Sequence, residues 1–248
     1  MAKRGIDKRT DRAGQICRAL RHAIIEQALE PGAKLPEDAI GERFGASRTI
    51  VRHALGQLAA EGLVELRRNH GASVATPSWD EARDIFDVRL GLERLVVSRI
   101  AGKLTREQIS RLETHVDEEE RARGTNEPLS IRLAGEFHIL LAEMTGSPVL
   151  ARYIGEVACR CGLILALYSR PHSSECGVSE HRAIIVALAA GDAARASAVM
   201  DDHLQAVAGR ALIVARPRKD RDLKEVLAPY AAESPSAPRP KAGGRAVR

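Results

Sequence analysis

The chain has 248 residues, enough for one large domain or two modest ones, and its 44% hydrophobic content is ordinary for a globular protein. Only 3% of residues are aromatic, so the core must come from Leu, Ile, Val and Ala, and binding of unstacked bases on aromatic platforms is excluded. The net charge of +5 is uneven: residues 1–76 carry +4, residues 77–213 carry −4 and residues 214–248 carry +5, which points the first unit toward a polyanion.

No apolar run approaches the ~20 residues of a membrane-spanning helix. The charged start is followed by an amphipathic stretch rather than the apolar core of a leader. A cytoplasmic location with no membrane partner is expected. Cys17, Cys159, Cys161 and Cys176 form neither a disulfide ladder nor paired CxxC motifs, and read as structural thiols.

Residues 1–13 read as a flexible arm. A first helix runs from about Gly14 to Ala28, with Ile16, Leu20, Ala23 and Ile24 on one face and Glu30-Pro31-Gly32 as its stop. A second covers Glu37 to Phe44, followed by Gly45. Ser47 is a good N-cap for a third, reaching about Glu61 on the stripe Val51, Leu55 and Leu58. Leu63–Leu66 and Ala72–Ala75 flank the polar turn Arg67-Arg68-Asn69-His70-Gly71, a hairpin signal. Three short helices and a hairpin spell a winged helix-turn-helix over residues 14–76, with Thr76-Pro77-Ser78 as linker.

Residues 77–215 are helical without strands. Six stripes follow: Ile85, Val88, Leu92, Leu95 and Val96; Ile109, Leu112 and Val116, fading into the charged run Asp117–Arg121; Leu133, Phe137, Leu140, Leu141 and Met144; Leu150 to Tyr168; His181, Ile184, Ile185 and Leu188; and Ala196, Val199, Met200, His203 and Val207. Six such helices can enclose a core. The basic remainder, residues 216–248, is rich in Pro, Ala and Ser, and disorder is expected there. The fold class is mainly α: an N-terminal winged helix-turn-helix plus a six-helix bundle.

The third helix carries the clearest chemistry. Val51 and Leu55 turn inward, so Arg48 and Arg52 are i,i+4 neighbours on its exposed side. An arginine fork suits guanine O6 and N7 or phosphate. Ser47, Thr49 and the free amides of the helix start suit phosphate oxygens. The turn Arg67 to Gly71 can lie along the duplex backbone or enter the minor groove. A solvated basic helix would show the same residues.

The stretch SRTIVRHALGQLAAEGLVELRRNHGASV, with the lead-in IIEQALEPGAKLPEDAIGERFGA, resembles the DNA-binding domain of the GntR family of bacterial regulators. The resemblance covers residues 14–76 and implies operator contacts from Ser47, Arg48, Thr49 and Arg52, with His70 and Gly71 at the wing tip. Ile50 stands where the family usually has Pro, and His53 where it usually has Glu. Asp38 takes a place where some relatives use a DNA-touching Arg, so that contact is not expected.

His138, His181 and His203 fall on three different predicted helices, each in phase with an apolar face. Singly, each fits a hydrogen-bonded core or boundary histidine better than a ligand. Together, three imidazoles with an open position suit zinc or a similar ion. VRLGLE, EFHILLAEMTGSPVL, EHRAIIVALAAGD and MDDHL resemble signatures of the FCD ligand-binding domain of the FadR subgroup, over about residues 80–212. That resemblance implies a divalent metal, zinc or nickel, on His138, His181 and His203, with a small carboxylate effector nearby and Arg89 beside it. The Asp usual one turn before the first His is Ala134 here, and Glu136 faces the wrong side. The site thereby lacks its anionic protein ligand and should favour an anionic effector more strongly than its relatives do. No carboxylate stands beside the histidines as a general base, which argues against an enzyme.

The expected protein is therefore not an enzyme. It is a homodimeric, sequence-specific transcription regulator, a repressor controlled by a small organic acid, acting on double-stranded operator DNA. The alternatives are a constitutive DNA-binding dimer with a non-sensing helical domain, and a three-His metallohydrolase.

Overall fold

The computed structural model describes residues 8–168, 177–210 and 222–232. Ten helices and one hairpin fill those stretches. The first unit comprises α1 (Lys8–Ile25), α2 (Glu37–Phe44), α3 (Arg48–Ala60), β1 (Val64–Arg67) and β2 (Gly71–Val74). α1 starts at Lys8, inside the arm expected over residues 1–13, and Ala13 is already buried. The apolar face that runs through Ile16, Leu20 and Ile24 accounts for this: it recruits the turn before it.

α2 ends in a left-handed Gly45, and the chain reverses into α3 within three residues. The approach is tight, because a Cβ on Gly41 would lie 2.8 Å from the Ala46 carbonyl oxygen. Glycine at 41 therefore sets how closely the start of α3 packs on α2. The strands pair antiparallel from Val64↔Val74 to Arg67↔Gly71, one residue later for β1 and one earlier for β2 than the pattern predicted. Leu66, expected as an apolar strand end, is exposed on the wing.

The second unit comprises α4 (Trp79–Ile100), α5 (Arg106–Ala122), α6 (Glu127–Met144), α7 (Pro148–Tyr168), α8 (Gly177–Ala189) and α9 (Ala193–Arg210). Caps mark the starts. The Ser78 side chain accepts from the Glu81 amide, and Thr105 with Gln108 forms a full capping box. The core joins Val96, Val97, Leu112, Val116, Phe137, Leu141, Ile154, Ile184, Leu188 and Met200. Val88 and Leu95, expected inside, are exposed at 55% and 41%. Cys176 lies outside the described residues.

The two units share a boundary. Cys159 and Leu163 of α7 belong to the core of the first unit. Arg132 of α6 reaches Glu26 of the first unit at 2.7 Å.

The stretch 216–248, expected to be disordered, contains a docked helix, α10 (Leu223–Ala232). It packs on α1 and α2, with Leu227 fully buried in the first unit's core. Arg43 Nη2 donates to the Ala228 carbonyl at 2.8 Å, Lys224 meets Glu42 at 2.5 Å, and the Tyr230 hydroxyl donates to Glu26. Leu223, Val226, Leu227 and Tyr230 form an i, i+3, i+4, i+7 stripe, masked in the sequence by Pro229 and the Pro- and Ala-rich surroundings. Residues 233–248, where disorder was also expected, lie outside the described residues.

Candidate functional site

α3 presents its polar face to solvent. Ser47 sits at the N-cap in an extended conformation, and its side chain makes no capping bond, so the hydroxyl and the first amides of the helix are available to an anion. Arg48, Thr49, Arg52 and His53 are exposed, as are His70 and Gly71 at the turn between the strands. Asn69 and Gly71 hold positive φ of 64° and 75°, which closes this short turn. Arg48 and Arg52 are not free side chains. Arg48 donates from Nε and Nη2 to the two oxygens of Asp38 at 2.6 and 2.8 Å. Arg52 Nε donates to Glu37 Oε1 and Oε2 at 2.9 and 2.8 Å.

The second concentration of chemistry lies inside the six-helix unit. α6, α8 and α9 bring His138, His181 and His203 together, all buried, with one ligand atom of each within 4.8 Å of the others. Phe137 stacks on the His181 ring at 4.1 Å between centroids and holds its tilt. His181 Nδ1 donates to Glu119 Oε2 at 2.8 Å, and His203 Nδ1 donates to Glu180 Oε2 at 2.6 Å. His138 Nδ1 lies 2.8 Å from Glu93 Oε1 but without hydrogen-bond alignment.

With a carboxylate on Nδ1 of His181 and of His203, those ring protons belong there and the two Nε2 lone pairs are left for the centre. His138 Nε2 and His203 Nε2 stand 3.2 Å apart, and buried His181 Nε2 has no hydrogen-bond partner. Nitrogens bonded near 2 Å to one tetrahedral ion would be ~3.3 Å apart. The donor set, the orphaned nitrogen and this spacing all fit a divalent cation. Burial holds His138 well below the usual histidine range, and Arg89 and His181 push it the same way. Burial likewise takes His203 down to about 3 against the opposing pull of Glu180. Both rings are therefore neutral and able to act as ligands.

Arg89 is buried on α4, with Nε 3.4 Å from Glu93 Oε1 one turn away. Its charge, expected to await an anionic effector, already has an internal counter-ion. Burial raises the Glu93 carboxyl to about 7, with Arg89 opposing the rise. Glu136 turns away from the histidines onto Arg132 at 3.0 Å.

The expectation that no carboxylate stands beside the histidines is corrected by Glu93, Glu119 and Glu180. Glu119 hides in the charged run after Val116, yet it extends Leu112 and Val116 by helical phase. Glu93 lies four residues beyond Arg89 on the same face. Both signals were readable as polar residues continuing an apolar stripe.

Residues 12–74 match the family model described as bacterial regulatory proteins of the gntR family, and residues 84–206 match the FCD domain. The chain belongs to the GntR family of bacterial regulators. It is similar to the HTH-type transcriptional regulator YdhC of Bacillus subtilis, 27% identical over 72% of this chain and 81% of that one. It is also similar to the Uxu operon transcriptional regulator of Escherichia coli, 28% identical over 78% and 84%. Among solved structures, a putative GntR regulator from Rhodococcus superposes with a TM-score of 0.71 at 23% identity, over 81% of this chain and 97% of that one.

This GntR-type regulator is thus a winged helix-turn-helix followed by an FCD domain, and its relatives are transcriptional regulators rather than enzymes. Among the described residues, no helix is long and apolar enough to cross a membrane.

Proposed function

We propose that this GntR regulator is a homodimeric, metal-loaded repressor that reads operator DNA with Ser47, Arg48, Thr49, Arg52, His70 and Gly71 and responds to a small carboxylate at its FCD domain. The observation that carries the sensing half is the buried trio of imidazoles, each backed by a glutamate and each with Nε2 left for one centre. His138, His181 and His203 would hold zinc or nickel, and the bound ion would offer an open position to an acid. Arg89 would bind the same acid by releasing Glu93. The pocket contains more negative charge than Ala134 alone implied, so its preference for anions rests on the metal and not on Arg89 by itself.

The route to DNA runs through the shared boundary. α6 carries both His138 and the Arg132 that grips Glu26 of α1. α7 carries Cys161, in the electrostatic reach of Arg89, and Cys159 and Leu163, which sit in the core of the DNA-binding unit. A ligand that favours one arrangement of α6 and α7 changes the presentation of α3. Val88 and Leu95, exposed seven residues apart on α4, supply an apolar face for a second copy, and two copies read a two-fold symmetric operator. Repression is carried over from relatives named as repressors, NanR of Cronobacter sakazakii and RspR of Escherichia coli. It acts by occupying the promoter.

Three measurements test this reading. Competition titration of the purified protein with a chromophoric chelator should show one saturable zinc or nickel site per chain, abolished in His181→Ala; no site in the wild type sinks the metal reading. A promoter–reporter fusion should be silenced by the protein and relieved by the cognate acid. Light scattering should give a dimer that Leu95→Glu converts to monomer.

A further inference from the structure

α2 opens with two consecutive acids, Glu37 and Asp38, and each grips one exposed arginine of α3. The two grips differ. Asp38 takes Arg48 side-on, one oxygen to Nε and the other to Nη2. Glu37 takes Arg52 through Nε alone, with both oxygens sharing one N–H. Arg48 and Asp38 keep side-chain exposures of 68% and 70%, so the pair stands on the open face of the helix-turn-helix.

A guanidinium has five N–H donors in a fixed plane. The side-on fork to Asp38 uses the Nε–H and one Nη2–H. The other Nη2–H and both Nη1–H remain, at the far end of the plane. Two of these, one on each Nη, are parallel and match the O6 and N7 acceptors of guanine. One of the two bidentate forks is already taken, and the pair carries no net charge to attract a phosphate.

We infer that Asp38 is a specificity-determining residue, which holds Arg48 end-on to a guanine edge in the major groove and withdraws it from phosphate binding. The inference rests on α3 being the DNA-reading helix. It turns the substitution at position 38, where a basic contact is missing, into a gain of discrimination. Arg52 donates to Glu37 through Nε alone, so all four of its Nη N–H donors are left for the duplex.

Selection from a randomised duplex pool by the intact protein tests this. The wild type should enrich a motif with a fixed guanine in each half-site, and Arg48→Ala should lose the preference at that position. Asp38→Ala should still bind the enriched duplex but discriminate against its guanine-substituted version about tenfold less. It should also bind unselected duplex more tightly, with a salt dependence steeper by about one ion. Asp38→Asn, which keeps one acceptor, should fall between. Unchanged discrimination in Asp38→Ala would overturn the proposal, as would an equal gain on selected and unselected duplex, which makes the acid a general brake. Failure of the wild type to enrich any motif would overturn the DNA-reading face itself, and the proposal with it.

Discussion

The two domains use the same contact, a base against a carboxylate, in opposite surroundings. On the DNA-binding unit, Arg48 and Asp38 meet in water. Inside the FCD domain, His181 and Glu119 are 1% and 3% exposed. A solvated pair contributes little to stability because water competes for both partners. A buried pair has no such competitor, and removing one partner strands the other. The exposed pair can therefore be traded for a nucleic acid at little cost, whereas the buried histidine–glutamate pair fixes the shape of its site. Arginine keeps its charge in any medium, whereas histidine can be buried neutral.

The largest expected effect breaks a buried pair. Glu119→Ala should lower the unfolding free energy by about 3 kcal/mol in urea titrations of metal-free protein. Glu119→Gln still accepts from His181, so it should keep most of that stability while zinc binding weakens ten- to about a hundredfold. Equal stability of Glu119→Ala and wild type would show that the contact is not structural.

Next comes the boundary helix. Leu227→Ala removes a fully buried side chain and should cost about 2 to 3 kcal/mol of docking, read as faster amide exchange over residues 223–232. Protection at the wild-type level there would contradict the docking.

The exposed side should answer only to DNA. The Arg48→Ala/Arg52→Ala double variant should bind the selected duplex at least about tenfold more weakly, with a thermal midpoint close to wild type. A folded double variant with undiminished affinity would remove α3 from the interface. The smallest effect is expected for Asp38→Ala, whose melting curve should superimpose on the wild type. A large drop would mean the surface pair is structural after all, and would erase the contrast between the domains.

Much of this was legible from residues alone, and the exceptions share a cause. α2 ends where expected because Gly45 takes up the left-handed conformation that closes a helix, at no Cβ penalty. The six FCD helices follow their apolar stripes, and the three histidines fall together because each continues such a stripe. Val88 and Leu95 were misplaced because an apolar period marks a face of a helix without showing that the fold buries it. Glu93 and Glu119 were missed because a carboxylate in an amphipathic helix reads as solvated until a buried nitrogen is seen beside it. α10 was missed because its ten residues need a partner surface nearly two hundred positions earlier, which no local pattern contains.

That last contact bears on how the protein is made. The seat for Leu227 lies between elements synthesised first, while its occupant is synthesised after the whole FCD domain. During translation the winged helix leaves the ribosome with an open apolar slot, and the slot closes only when the chain has passed residue 227. A fragment cut at the domain boundary near residue 76 would keep that slot open permanently. It would lose Cys159 and Leu163 from the same core, so the DNA-binding unit reaches its finished form only as part of the longer chain.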